Sequence, residues 1–249
     1  MYYKNDDITI FYKKYGENSK SILILPGWGN NRNTFNNIIN TLKKDYSIYI
    51  IDYPYFGNSP LPNKELTIYD YANLIHNFIK DNNIINPIII AHSFGGRITS
   101  ILLGKYKIKI KKLILIDVAG IKRLNIKIIL KQKLYKILKL LIKLLPKNKQ
   151  YKYYKKLLNK FSSKDYLNIP IIMKKTFQNI IKENLKKYYK KININTTIIW
   201  GNKDIDTPIK DAYYLHKKIK KSNLIILKSN HFSYINNENI IIKQIKSHD

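Results

Sequence analysis

The 249-residue chain contains no cysteine, which excludes disulfide staples, thiolate metal sites and cysteine nucleophiles. Arginine is nearly absent, standing only at positions 32, 97 and 123, while the other 43 of the 46 basic residues are lysine. Acidic residues are also scarce, 16 in all, so the formal net charge is +30. No run of about 18 uncharged apolar residues occurs, so no membrane span is expected. Residues 1–7 lack the apolar stretch of a secretory signal, and a cytoplasmic location is expected.

A charge of this size points to nucleic acid, anionic lipid or an acidic protein. The lysine bias weakens the first, because the arginine fork fits phosphate better. Lysine, isoleucine, asparagine and tyrosine also share A/T-rich codons, so base composition is a plain source of the charge. No specific nucleic-acid partner is expected.

An apolar content of 45% supports one ordinary core. Ile8–Tyr12 alternates and reads as a strand at a sheet edge. Residues 21–25, 47–51, 87–90 and 113–116 are short, nearly continuous apolar runs, the pattern of strands buried on both faces. Helical periodicity fills Thr34–Leu42, Ile68–Ile79 and Phe94–Leu103, implying βαβ units and a doubly wound, mostly parallel sheet of the α/β class. From Ile121 to Ile192 the pattern is helical only. Ile128, Ile129, Leu134, Ile137, Leu138, Leu141, Leu144 and Leu145 form a broad apolar face, and Pro146 closes that helix. Further helices are expected at Tyr151–Phe161 and Met173–Tyr189. Strands resume at Thr196–Trp200 and Leu224–Leu227, with helices starting near Pro208 and covering Asn239–Ile245. The expected organisation is therefore one core, residues 1–120 and 193–249, with a helical insertion at 121–192.

The most informative segment is Pro87-Ile88-Ile89-Ile90-Ala91-His92-Ser93-Phe94-Gly95-Gly96. It reads as a strand, a very tight turn and a helix, with Ser93 at the tip. The crowding of such a turn requires small residues two before and two after the serine, here Ala91 and Gly95. An exposed serine of this kind is a candidate nucleophile and needs a base and an orienting acid.

Of the five histidines, His92 adjoins Ser93 but diverges from it, His76 and His216 lie in expected helices, and His248 is terminal. His231 follows the last strand, at the carboxyl edge of the sheet where parallel α/β proteins build sites. Asp204, just past the strand Thr196–Trp200, is the candidate acid; Asp206 and Asp117 compete. The Leu25-Pro26-Gly27-Trp28-Gly29-Asn30 loop lacks the lysine of a phosphate loop. It could aim the Trp28 amide beside that of Phe94 as an oxyanion hole.

These segments resemble the α/β-hydrolase fold family, in its serine-hydrolase branch. The resemblance rests on Pro26-Gly27-Trp28-Gly29, Asp52-Tyr53-Pro54-Tyr55-Phe56-Gly57-Asn58-Ser59, Ala91-His92-Ser93-Phe94-Gly95-Gly96, Trp200-Gly201-Asn202-Lys203-Asp204 and His231-Phe232, covering roughly residues 8–120 and 193–249. The order Ser93, Asp204, His231 is the family's. Ala91, Tyr55 and Asn230 stand where the family usually has glycine, and Pro26 where it usually has histidine.

The resemblance implies a cofactor-independent, metal-free hydrolase of a small-molecule acyl substrate, with a carboxylic ester expected first and amide, thioester and C–C bonds open. It implies a lid at 121–192 and an acyl pocket lined by Trp28, Phe94, Tyr55 and Phe232. The lid segment holds 22 basic residues against two acids. A solvated lysine surface, an acidic carrier and an anionic membrane surface are its three readings. The carrier reading draws on a family member with a similar Gly-Trp-Gly loop that acts on carrier-bound methyl esters. A non-catalytic binding protein on the same fold is the other alternative.

Overall fold

The computed structural model describes residues 1–30, 32–122, 126–161 and 168–247. Its centre is an eight-stranded sheet in the order β1-β2-β4-β3-β5-β6-β7-β8. The strands are β1 (Tyr2–Asn5), β2 (Ile8–Tyr15), β3 (Ser21–Leu25), β4 (Ser47–Asp52), β5 (Ile88–His92), β6 (Lys112–Ile116), β7 (Thr196–Gly201) and β8 (Ser222–Leu227). The β1–β2 and β2–β4 pairs are antiparallel, and all others are parallel. The edge strand expected at Ile8–Tyr12 is longer and lies one place inside the edge. Residues Tyr2–Asn5, too short and too polar to announce a strand, fold back on it and form the true edge.

The helices are α1 (Asn36–Leu42), α2 (Ile68–Asp81), α3 (Phe94–Gly104), α4 (Ile126–Lys143), α5 (Lys147–Phe161), α6 (Ile171–Lys182), α7 (Lys186–Tyr189), α8 (Lys210–Lys218) and α9 (Glu238–Lys246). They cover both faces of the sheet. Alternate residues of the central strands enter two cores. Leu23, Leu25, Ile89 and Ala91 face α2, α3 and α8, whereas Ile22, Ile24, Ile88 and Ile90 face α1 and α9.

The described residues between β6 and β7 are mainly helical, as their periodicity requires, but the last helix expected there is broken. The expected helix Met173–Tyr189 splits at Glu183–Leu185, where the Leu185 amide turns to the Gly120 carbonyl at 2.9 Å. The Arg97 guanidinium, on α3, donates to the Ile180 and Glu183 carbonyls at 3.1 and 3.3 Å. Both carbonyls lie at the carboxyl end of α6, where intrahelical donors run out; that of Ile180 also accepts the Glu183 amide at 3.3 Å. The Leu66 amide donates to Thr176 Oγ1 at 2.9 Å, which ties α6 to the core. α4 pairs with α5. The side chains of Ile128 and Ile129 lie outside the described set.

The join between β5 and α3 fixes the geometry of the carboxyl edge. Leu25 pairs with Ala91 across β3 and β5, and the Gly95 amide donates to the Pro26 carbonyl at 3.1 Å. The chains are so close that a Cβ on Gly95 would stand 2.0 Å from the Leu25 carbonyl oxygen. Both atoms belong to backbone, so no rotamer relieves the clash. Gly95→Ala is therefore expected to destabilise the protein by about 1–3 kcal/mol or more, read from urea unfolding. An unchanged midpoint would show that β3 and the turn are not held together here.

Candidate active site

β5 ends at His92, and Ser93 takes φ 47° and ψ −108° before α3 begins. A β-substituted residue adopts these angles only where its surroundings hold it there. Four backbone bonds do so. The Ser93 amide donates to the Ile116 carbonyl at 3.0 Å, and the Ser93 carbonyl accepts from Ala119 at 3.0 Å and Gly96 at 3.1 Å. The fourth is the Gly95–Pro26 bond. The half-buried hydroxyl of Ser93 lies 2.9 Å from His231 Nε2. His231 Nδ1 lies 2.8 Å from Asp204 Oδ2.

Asp204 is buried and fully engaged. Its Oδ1 accepts from the amides of Asp206 and Thr207, both at 2.8 Å. Its Oδ2 takes the Thr207 hydroxyl at 2.6 Å besides His231. Burial alone would raise its pKa, but the His231 and Thr207 bonds outweigh that and hold it below the usual value. For His231, burial opposes the charged form, and the Asp204 bond and charge, with Asp206 and Asp117 behind them, reverse the balance. The net pKa lies above 6.5. Asp204, Asp206 and His231 offer ligand atoms within 4.8 Å of one another. Asp204 has already spent its oxygens on four donors, so the set is built to orient a histidine rather than to chelate an ion.

The competing acids are placed differently. Asp206 is exposed and its amide helps to hold Asp204. Asp117, at the end of β6, accepts from the Gly201 amide at 2.8 Å and the Ser233 amide at 3.1 Å. It braces the strand end that carries Asp204 against the loop that carries His231. Burial pushes its pKa up to about 6 against those two bonds. Among the other histidines, His76 stacks on Tyr106 at 4.8 Å and His216 meets Ser222 at 2.9 Å, both away from Ser93. His248 lies outside the described residues.

His92 is no base for Ser93, but it belongs to the site. It is almost wholly buried, and burial, with His231 nearby, drives its pKa down to about 3, so it is neutral. The Asn30 amide Nδ2 donates to its Nδ1 at 3.0 Å, which makes Nδ1 the acceptor. Its Nε2 then carries the proton and donates to the His231 carbonyl at 2.9 Å. One ring thereby connects the Trp28 loop to the backbone of His231.

The Trp28 loop is a tight turn in which the Asn30 amide returns to the Gly27 carbonyl at 3.2 Å. Gly29 takes φ 72°, the value a type II turn needs at its third residue. Among the described residues, neither the Trp28 nor the Phe94 amide has an acceptor. The Trp28 ring meets Phe94 at 5.3 Å, Phe56 at 5.0 Å, Phe177 of α6 at 5.4 Å and Tyr71 at 6.3 Å. Tyr55 has φ 75°, the left-handed conformation that the family's glycine at this place would adopt freely, and its ring packs on Phe56 at 5.5 Å. Phe232 is 37% exposed and lies against His231 and His92. Thr207, Asn30, Phe56, Tyr71 and Phe177 were not singled out by the sequence. Among them only Thr207 had a local signal, since an aspartate can close a turn by accepting the amides two and three residues on.

The model of the α/β hydrolase fold family matches residues 20–141. A Drosophila melanogaster protein named "Probable serine hydrolase" is 31% identical over 116 residues, 45% of this chain and 35% of that protein. The chain thus spans about a third of that relative. The "Pimeloyl-[acyl-carrier protein] methyl ester esterase" of Wigglesworthia glossinidia brevipalpis is 27% identical over 95% of this chain and 96% of its own. The solved structure of a putative lipase from Acinetobacter baumannii superposes with a TM-score of 0.74, covering 98% of this chain and 88% of the other at 24% identity.

Because neutral His92 is buried, its folded pKa lies below the unfolded value of about 6.5. Its contribution to stability is complete above pH 6.5 and is lost as pH falls toward 3. The stability advantage of wild type over His92→Gln, which cannot titrate, should shrink between pH 6.5 and 4 by up to about 1.4 kcal/mol per unit. Urea titrations of both proteins across that range measure it, and a constant difference would contradict a neutral His92.

Proposed function

The chain belongs to the α/β-hydrolase fold family, and we propose that it is a serine carboxylesterase acting on a small or medium acyl ester. The observation that carries this reading is the continuous chain from Ser93 Oγ through both nitrogens of His231 to Asp204 Oδ2, at 2.9 and 2.8 Å. In this reading Ser93 Oγ attacks the ester carbonyl carbon as His231 Nε2 takes its proton. Asp204 keeps the proton of the imidazole on Nδ1 and stabilises the imidazolium without itself being protonated. The carbonyl oxygen, now an anion, is received by the free amides of Trp28 and Phe94. Collapse of the tetrahedral adduct expels the alcohol, protonated by His231, and leaves an acyl-Ser93 ester. Water, giving a proton to His231, then attacks that ester, and Ser93 recovers its proton as the acid departs.

The aromatic group around Trp28 supports an acyl pocket next to Phe94, with Tyr55 and Phe232 at its margins. Phe177 brings α6 onto this group, which supports reading residues 121–192 as a lid. The similarity to an esterase of an acyl-carrier-bound substrate supports an ester bond over the amide, thioester and C–C alternatives. A panel of p-nitrophenyl and methyl esters of rising acyl length, some carrier-bound, tests the substrate class.

Ser93→Ala is expected to lower kcat on p-nitrophenyl acetate by about 10⁶-fold, equivalent to about 8 kcal/mol. Turnover at the wild-type rate would refute the assignment. The base must be neutral to accept the serine proton, and the pKa of His231 is raised above 6.5. The acid limb of kcat/KM should therefore inflect above pH 6.5, with activity lost as pH falls through it. Asp204→Asn should move that inflection downward and cut kcat by about 10⁴-fold. A profile flat to pH 5 would exclude His231 as the base.

A further inference from the structure

The insertion between β6 and β7 carries more than the site needs. Residues 121–192 hold 22 basic residues against 2 acidic, whereas the other 177 residues hold 24 against 14. Codon bias acts on the whole chain and does not account for a doubled density of lysine in one segment. Within that segment the helical pair is extreme, since α4 and α5 contain 12 lysines and no acid.

The same pair exposes aliphatic surface. Tyr135, Leu138 and Ile142 are half-buried and form the inward stripe of α4, and half-buried Leu145 follows just past its end. A second stripe beside it, Leu130, Leu134, Ile137 and Leu141, continued by Leu144 in the turn after α4, follows the same three-and-four spacing and faces solvent, as does Leu140. These six side chains are between 50% (Leu134) and 78% (Leu144) exposed. At 1.5 Å per residue the stripe runs about 20 Å along the helix. Lys133, Lys136 and Lys143 are exposed on the side away from the inward stripe, and Lys147, Lys149 and Lys152 continue the positive field onto α5.

An apolar stripe of this length, flanked by lysines whose stems can lie along it while their ammonium groups reach polar surroundings, suits a helix lying in a bilayer interface. Two other occupants fit less well. A second copy of the chain would bring two acid-free sets of 12 lysines together. An acidic protein would be met by aromatic, methionine and arginine side chains at the core of its interface. This stripe has leucine and isoleucine only, and its charges are compact ammonium groups instead of carboxylate-matching forks. A diffuse anionic surface over hydrocarbon satisfies both features at once.

We propose that α4, with α5 beside it, is a docking surface for an anionic phospholipid bilayer. The Leu130–Leu144 stripe enters the acyl-chain boundary, and the flanking lysines rest among the headgroups. The proposal does not rest on the hydrolase reading, since vesicle binding is measured without turnover.

The test is co-sedimentation of the full chain with phosphatidylglycerol–phosphatidylcholine vesicles and with pure phosphatidylcholine vesicles, at low and high salt. Anionic vesicles should be bound at least about tenfold more strongly, with the preference falling as salt rises. The triple variant Leu134→Ser, Ile137→Ser, Leu141→Ser should lose about tenfold or more of that affinity. These residues are exposed, and circular dichroism verifies the fold. Lys133→Gln, Lys136→Gln, Lys143→Gln tests the charge separately and should remove most of the preference for anionic lipid. Absence of binding, equal binding to neutral vesicles, or undiminished binding by either folded variant would overturn the proposal. So would a dimer in sedimentation equilibrium that the serine variant abolishes, or an acidic carrier protein that binds this stripe while vesicles do not.

Discussion

The strained conformation of Ser93 is the constraint on which the rest of the site depends. Angles of this kind cost about 1–3 kcal/mol and persist only where neighbours over-determine them. Here the neighbours are the backbones of β3, β6 and the segment after β6, reached through Pro26, Ile116 and Ala119. The same bonds that hold the turn therefore place the Trp28 loop on one side of Ser93 and the end of β6 on the other. A serine on an ordinary loop would need separate devices for each.

From that turn, order spreads along the carboxyl edge of the sheet through buried polar groups. Asp117 accepts amides from both the β7 end and the His231 loop, and His92 accepts from Asn30 while donating to the His231 carbonyl. Each is a titratable side chain placed where burial disfavours its charge, pushing Asp117 up to about 6 and His92 down to about 3. Their value lies in connection, because an unpartnered buried acceptor or donor costs about 1–3 kcal/mol and every loop shift would create one. Trp200 adds a third tie, its indole donating to the Thr207 carbonyl at 2.8 Å beneath Asp204.

Much of this was legible in the sequence because it depends on local pattern. The central strands are continuous aliphatic runs, and Gly95 has no side chain because the Leu25 carbonyl stands where its Cβ would be. Ser93, Asp204 and His231 each follow a strand, so topology alone brings them to one edge, and the structure places them in hydrogen-bond sequence. What escaped depends on contacts between distant segments. β1 is a strand only because β2 offers it an edge. The break before Lys186 exists because Gly120 and Arg97 receive the helix ends. His92 looked idle because its partners, Asn30 and the His231 carbonyl, are 62 and 139 residues away. Tyr55, placed against the family's glycine, still takes the glycine conformation, so the backbone requirement there outlasts the residue that usually meets it.

The site also shows how a local field prevails over a large global one. A net charge of +30 opposes the protonation of His231. Yet His231 is raised, because its nearest charge is a carboxylate at 2.8 Å in partly buried surroundings. At an effective dielectric of about 20, a unit charge some 4 Å away contributes about 4 kcal/mol, whereas solvent and salt screen exposed lysines over about 8 Å. Three carboxylates, Asp204, Asp206 and Asp117, act on His231, although acids are rare in the chain. The 12 lysines of α4 and α5 therefore coexist with a cluster of carboxylates around His231, a local negative field in a strongly positive chain.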